Sequence, residues 1–459
     1  MRFKSQSSKK INKLFVLCFP HLGTLDNWMP IVNSINSLSN NLNFTLIIPD
    51  PNILKSFDKD NAVIEMSDSI FKSCLIYAYD DLWIEYRSVF DSMKWYDKNR
   101  VFLRIFNIFK NLMARRFFSY ILMWPSVLLR NYIYKNKFKF SLCRDVSHMD
   151  ILLYDIHVEN NSRVSDILQL FYNKYSLPHA LSMLSYKGEL PKLVDVDNKD
   201  NIEIYMYAEF QKKHYISKYG INLDKTHVVG IPRHDCKWIK MIQEKYDKAP
   251  DDFNDNSILI LSRHASNGHL LFNDKLKSVK NIKKLFIDKL GMKVVIKLHP
   301  NEKKEKIFYN KKENIYEKIF GLSNYELTWI YSDMHIFALG KDKELVISLG
   351  SGVVFDLIVI GTPCIEYTSF KSKPSDFDKH KTDYENHLTD YVKYGFIEAV
   401  SNYHELNTFV EKYIEDPGQI LTASKKVYNK YFTVFSDSSG IVATEILQHN
   451  NIIDSSICK

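Results

Sequence analysis

Glycine is scarce in this 459-residue chain, with 14 residues or about 3%, against roughly 7% in typical proteins. Gly-rich linkers and low-complexity tracts are excluded, and each remaining glycine marks a place where backbone must turn or be closely approached. Cysteine is as sparse: positions 18, 74, 143, 236, 364 and 458 form no pair at metal-ligand or redox spacing. That pattern excludes a cysteine metal centre and fits free thiols in a reducing, cytoplasmic compartment. No run reaches the roughly 20 apolar residues that span a bilayer; the nearest, 117–129, is broken by Pro125. The apolar run 14–19 is too short for a signal-peptide core and is followed by Pro20 and His21, so it reads as a first β-strand.

What remains is globular composition, 45% hydrophobic, 14% aromatic and 25% charged. It has room for two or three cores and excludes a disordered or fibrous chain. The formal net charge of +8 is concentrated. Between Lys98 and Arg144 there are eleven basic residues and no Asp or Glu, so the remainder is slightly acidic. A nucleic-acid-binding protein would be basic more widely, and none is expected as a partner. The basic residues alternate with Phe102, Leu103, Phe106, Phe109, Phe117, Phe118, Ile121 and Trp124. This composition suits either an anionic membrane surface or a helical subdomain with a solvated basic face.

Runs 14–19 and 44–48 are short and rich in β-formers, with helical spacing between them through Trp28, Ile31, Val32, Ile35 and Leu38. Strand, helix, strand alternation implies a parallel sheet. The pattern is obscure over 55–145, then resumes with strands at 151–154 and 202–206 and helices near 163–172 and 209–219. A second series has strands at 228–229, 258–261, 294–298, 345–347 and 363–366. The expected class is therefore α/β, with two Rossmann-like doubly wound domains. The first covers 1–235 with a helical basic insert at about 90–145, and the second covers 236–435. A C-terminal helix within 436–459 is expected to pack back on the first domain. Only Gly23 and Gly188 precede residue 220. The other glycines mark the second domain as the phosphate or nucleotide binder, through loops at the carboxyl ends of its strands.

Several strand ends carry chemistry. The apolar strand from Val294 ends in Lys297, Leu298, His299 and Pro300, and proline there stops the strand and fixes the turn. An imidazole held at that edge can donate to a phosphate oxygen or simply brace the next loop. Leu345 to Ser348 runs into Leu349, Gly350, Ser351 and Gly352 before a helical segment, so backbone N–H groups and the Ser351 hydroxyl converge as an anion site or as an N-cap. Glu366, at the end of the next strand, is placed to accept hydrogen bonds from a ribose or sugar hydroxyl. Gly230-Ile231-Pro232-Arg233-His234-Asp235 puts a guanidinium at the hinge, for ligand contact or for an Arg–Asp brace of the linker. Arg263 follows the strand 258–261 and can face a pyrophosphate. For proton abstraction the candidates are His179, with His21 and Asp26 as alternatives, as are Asp155 and Glu159.

In this order, Pro-His, Gly-x-Pro-Arg-x-Asp, Lys-Leu-His-Pro, and Ser-Gly-Val-Val-Phe-Asp with Gly-Thr-Pro, the motifs resemble GT-B enzymes of bacterial surface-polymer synthesis. These include CDP-glycerol glycerophosphotransferases and the His-Pro-motif capsule transferases that use CMP-activated sugars. The resemblance covers about 151–440. It implies two domains facing a central cleft, His179 as base, and His299 with Ser351 on the donor phosphates. No cofactor and no metal are implied, since such enzymes commonly stabilise the leaving phosphate with helix dipoles and basic side chains. Ala180 stands where the teichoic acid group has Gly, Ser348-Leu349-Gly350 where it has Thr-Asp-Tyr, and Gly352 where it has Ser. The donor and the transferred group therefore stay open. A CMP-sugar and a capsule or lipopolysaccharide glycan acceptor are favoured, with a lipid-linked acceptor reached from the inner membrane face as the accompanying expectation. The alternatives are polyol-phosphate transfer from a CDP-polyol and a non-catalytic glycan- or nucleotide-binding protein.

Overall fold

A computed structural model describes residues 14–18, 22–39, 42–56, 62–79, 82–113, 151–155, 167–168, 171, 173–177, 202–219, 222–246, 257–265, 270, 272–299, 302, 315–321, 328–367 and 390–453. His21, His179, Pro300 and the basic insert beyond residue 113 lie outside them.

Among the described residues, the strands form two sheets. The first contains β1 (Leu14–Cys18), β2 (Asn43–Ile48), β3 (Ser73–Tyr79), β4 (Leu82–Tyr86), β5 (Ile151–Asp155), β6 (Asn173–Leu177), β7 (Ile202–Met206) and β8 (Thr226–Val228). The second contains β9 (Ser257–Leu261), β10 (Lys293–Lys297), β11 (Trp329–Tyr331), β12 (Leu345–Ser348), β13 (Cys364–Tyr367) and β14 (Glu398–Val400). Their spatial orders are β4-β3-β2-β1-β5-β6-β7-β8 and β11-β10-β9-β12-β13-β14. Every pairing is parallel except the β3–β4 hairpin. Continuous apolar strands such as Ile258-Leu259-Ile260-Leu261 are buried throughout, because helices cover both faces of a parallel sheet.

Helices α1 (Leu22–Leu38), α2 (Ala62–Ile70), α3 (Val89–Met113) and α4 (Glu209–Tyr219) belong to the first sheet. Then follow α5 (Cys236–Lys245), α6 (Phe272–Ile282), α7 (Ile315–Phe320), α8 (Ile336–Gly340), α9 (Val354–Ile360), α10 (Asp390–Lys393), α11 (Tyr403–Glu415), α12 (Pro417–Tyr431) and α13 (Ser438–His449). The α/β class expected from the periodicity is the class observed. In each sheet the strand order reverses beside the first strand, between β1 and β5 and between β9 and β12, and ligands of doubly wound sheets bind at such points. The segment obscure in sequence, 55–145, contains α2, the β3–β4 hairpin and α3. Three further strands, β6, β11 and β14, lie where no strand was expected. Among the described residues, no helix is long and apolar enough to cross a membrane.

The two sheets are joined by a buried polar clamp. Nη2 of Arg233, in the turn Pro232–His234, contacts Asp26 Oδ2 of α1 at 2.8 Å and Asp356 Oδ2 of α9 at 2.6 Å. His335 accepts the Phe337 N–H on Nδ1 and so donates from Nε2 to Asp26 Oδ1 at 3.0 Å. His234, kept neutral by burial, bonds Asp356 Oδ1 at 2.7 Å and the Tyr428 hydroxyl at 2.6 Å. Asp235, next in the chain, turns the other way and accepts the Ser438 and Ser439 N–H groups at 2.9 and 2.6 Å, capping α13. That helix packs along α1, and its end is tied to β6 by Asn450 Nδ2, which donates to the Tyr175 hydroxyl at 2.6 Å. Gly230 adopts φ +76°, and a Cβ there would meet the Thr433 carbonyl at 2.7 Å, so the hinge admits only glycine.

Burial alone would raise the Asp26 pKa, but the charge of Arg233 and the hydrogen bond from His335 outweigh it and hold the carboxyl well below the usual range. A depressed folded value stabilises the protein above the unfolded carboxylate pKa of about 4 and is lost as pH falls. Arg233→Met, which strands two buried carboxylates, is expected to lose about 3 kcal/mol at neutral pH. In urea melts that loss should shrink below about pH 4 as Asp26 protonates.

Candidate functional site

The β9/β12 reversal point brings together Arg263, Gly350 and Glu366, with Ser351 in the same turn. Arg263 follows β9, and its guanidinium donates to the Gly350 carbonyl in the turn after β12. Gly350 is at φ +89°, and a Cβ there would meet Arg263 Nη1 at 3.0 Å and Glu366 Oε1 at 3.7 Å. The missing side chain therefore opens the space between a cation and a carboxyl. The Ser351 N–H is taken by Ser348 Oγ at 2.9 Å, which fixes the turn and uses that N–H within the chain rather than for an anion. Gly352 follows in the same turn and leads into α9.

Glu366 on β13 is 1% exposed. Burial pushes its carboxyl up to about 8, although the Ser348 hydroxyl, the Arg263 charge, the Tyr391 hydroxyl and the Gly350 N–H pull it back in part. Neither carboxyl oxygen has a partner of hydrogen-bond geometry among the described residues. A buried group left in that state is costly, and hydroxyl donors from a ligand would satisfy it.

Lys297 and His299 stand at the end of β10. The Lys297 ammonium donates to the Met334 carbonyl, and its charge is felt by Asp26 of α1. The His299 N–H donates to Glu302 Oε2 at 2.8 Å. Arg233 does not join this group, because its guanidinium is engaged by Asp26 and Asp356. The linker brace anticipated as an Arg–Asp pair thus spans two domains. Asp26, an alternative base in sequence, is a carboxylate gripped by two basic side chains, which makes it a weak proton acceptor.

On the first domain, Asp155 ends β5 at the other reversal point and is fully buried. Burial pushes it up to about 7, although the Thr24, Trp28 and Asn27 side chains beside it pull it back in part. Thr24 Oγ1 donates to Oδ2 at 2.8 Å. Sequence reasoning missed His335 and gave Asp356 no role; both emerge only when α1, α8 and α9 meet. If Glu366 ionises to accept ribose or sugar hydroxyls, nucleotide binding at pH 7 should release about one proton. The isosteric Glu366→Gln should remove that release in calorimetry across buffers of different ionisation enthalpy.

No protein-family model matches this chain, and no curated protein sequence matches it. Among solved structures, it is similar to the MnaA–UDP complex of S. aureus, at 12% identity over 96% of this chain and 98% of that one, with a TM-score of 0.55. It is similar to UDP-GlcNAc 2-epimerase from Neisseria meningitidis bound to UDP-GlcNAc, at 14% identity over 95% and 99%, with a TM-score of 0.50. The wall teichoic acid polymerase TagF matches at 10% identity over 96% of this chain and 89% of that one, with a TM-score of 0.52. At such identities the likeness establishes architecture: the chain has the GT-B fold.

Proposed function

We propose that this protein is a GT-B transferase that moves a sugar from a nucleotide-activated donor to a hydroxyl of a capsule or lipopolysaccharide glycan. The observation that carries the reading is the convergence of Arg263, Gly350, Ser351 and the unpartnered Glu366 at one reversal point. Cationic and hydroxyl groups there suit a phosphate, and an unsatisfied buried carboxyl suits a polyol. UDP in the MnaA complex supports a pyrimidine nucleotide, and a CMP-sugar remains the favoured donor on the motif resemblance.

In this scheme, the acceptor oxygen attacks the anomeric carbon, the bond from that carbon to the donor phosphate oxygen breaks, and the nucleotide leaves with the negative charge. Arg263, Lys297, His299 and the Ser351 hydroxyl stabilise that charge. Glu366 holds the ribose or sugar. The proton passes to His179, with His21 as the alternative. Asp26 and Arg233 fix the domains to one another. No bound metal is required, so EDTA should leave turnover unchanged.

The decisive assay supplies CMP-, UDP- and GDP-sugars with a glycan acceptor and identifies the products. Transfer should proceed with a pyrimidine nucleotide donor, and His299→Ala should lower it about a hundredfold while leaving the melting temperature near wild type. Turnover at the wild-type rate in folded His299→Ala contradicts the assignment. A phosphodiester product would assign polyol-phosphate transfer, as the likeness to TagF would allow. Conversion of the donor sugar without an acceptor would assign epimerisation.

The acceptor is proposed to be lipid-linked and met on the inner membrane face through residues 98–144. Support comes from α3, where Val101 and Ile105 are 60% and 50% exposed beside the exposed Lys98, Arg100 and Arg104. Arg100→Glu with Arg104→Glu should weaken binding to phosphatidylglycerol liposomes by at least about tenfold. Unchanged binding would remove this surface from the proposal.

A further inference from the structure

The loop that carries His299 is held from beneath by a buried polar network. The His299 N–H donates to Glu302 Oε2 at 2.8 Å, and the Glu302 N–H donates back to the His299 carbonyl at 2.9 Å. The other carboxylate oxygen, Oε1, takes the Lys275 ammonium and, at 2.9 Å, the Ser262 hydroxyl. Lys275 lies on α6 with its side chain 4% exposed. It donates further to Ser262 Oγ and to the Arg263 carbonyl, both at 2.9 Å. The Tyr316 hydroxyl donates to Ser262 Oγ at 2.6 Å, and the Tyr316 ring centroid is 5.1 Å from the ammonium.

A buried ion pair adds little stability over an apolar pair of the same volume, so core packing does not explain this one. Its geometry does. Ser262 and Arg263 follow β9, His299 follows β10, and these strands are neighbours in parallel register. The network therefore ties together the backbones of two strand ends, one carrying Arg263 and the other His299. Lys275 also cancels the Glu302 charge, so the carboxylate can hold His299 without opposing an anionic ligand above it.

We propose that Glu302 is a positioning residue of the donor-phosphate site and Lys275 its buried counter-cation. Together they lock the His299 backbone against that of Arg263, so that both side chains meet the same phosphates. This rests on the reading of His299 as a phosphate ligand.

Calorimetric affinities of the full chain for CDP and UDP, against cytidine and uridine, isolate the part of binding that depends on phosphate. Lys275→Met with Glu302→Ala leaves no unpaired buried charge. It should lose about tenfold in diphosphate affinity with nucleoside affinity unchanged. Lys275→Met with Glu302→Gln, whose amide oxygen still accepts from His299, should recover most of that loss. Ser262→Ala, a change small enough to leave the fold intact, should lose about threefold in the same direction. A role confined to stability would move the melting temperature of these variants without separating diphosphate from nucleoside.

Equal diphosphate affinity in the two double variants, or wild-type affinity in Ser262→Ala, overturns the proposal. If His299→Ala still loses diphosphate affinity in that case, the donor-site reading stands without it. Wild-type diphosphate affinity in His299→Ala, or no binding of either diphosphate to the wild-type chain, overturns both.

Discussion

Arg233 is the constraint on which the arrangement depends. A guanidinium cannot be buried without matched negative charge, and the carboxylates that match it come from different domains, Asp26 from α1 and Asp356 from α9. The pairing consequently sets the position of α1 against α9. Because α9 follows directly on the Gly350–Gly352 turn, the same contacts that join the domains also hold that turn. His335 and His234 occupy the remaining carboxylate oxygens, which completes the hydrogen bonding that a buried ion network needs to be tolerated.

The two polar centres of the molecule follow opposite rules. In the clamp, each carboxylate oxygen of Asp26 and Asp356 has a partner, and the result is a fixed interdomain geometry. At the β9/β12 reversal point, Glu366 is as deeply buried and has none among the described residues. Unsatisfied polarity is what a binding site shows when it is organised for a partner outside the chain. The Lys275–Glu302 network belongs to the first kind and supports the second, since its hydrogen bonds fix the backbone that carries Arg263 and His299.

Much of the fold was legible in the sequence because parallel strands are buried on both faces and so read as apolar runs. Ile258-Leu259-Ile260-Leu261 and Val294-Val295-Ile296 marked β9 and β10 in this way. The strand β6 was invisible for the complementary reason: Asn173-Lys174-Tyr175-Ser176-Leu177 buries Lys174 and Ser176 and carries no such run. Edge strands were hard to see as well, since the three-residue strand β11 offers too short a pattern. At the site, residues within one motif, such as Gly350 with Ser351, could be placed from their order along the chain. Arg233 could be placed at the hinge but not paired, because its partners are 207 residues upstream and 123 downstream. Glu302, three residues past His299, was within reach of a capping-box reading, whereas Lys275 needed the register of β9 on β10.

The central claim is that the nucleotide half of a donor occupies the carboxyl ends of β9, β10, β12 and β13. A crystal structure of the chain with CDP or UDP tests it most directly. The account predicts phosphate oxygens within hydrogen-bond reach of Arg263, His299 and the Ser351 hydroxyl, with a ribose hydroxyl on Glu366. A nucleotide seated on the first domain, or bound in the second with Glu366 and His299 untouched, would contradict it.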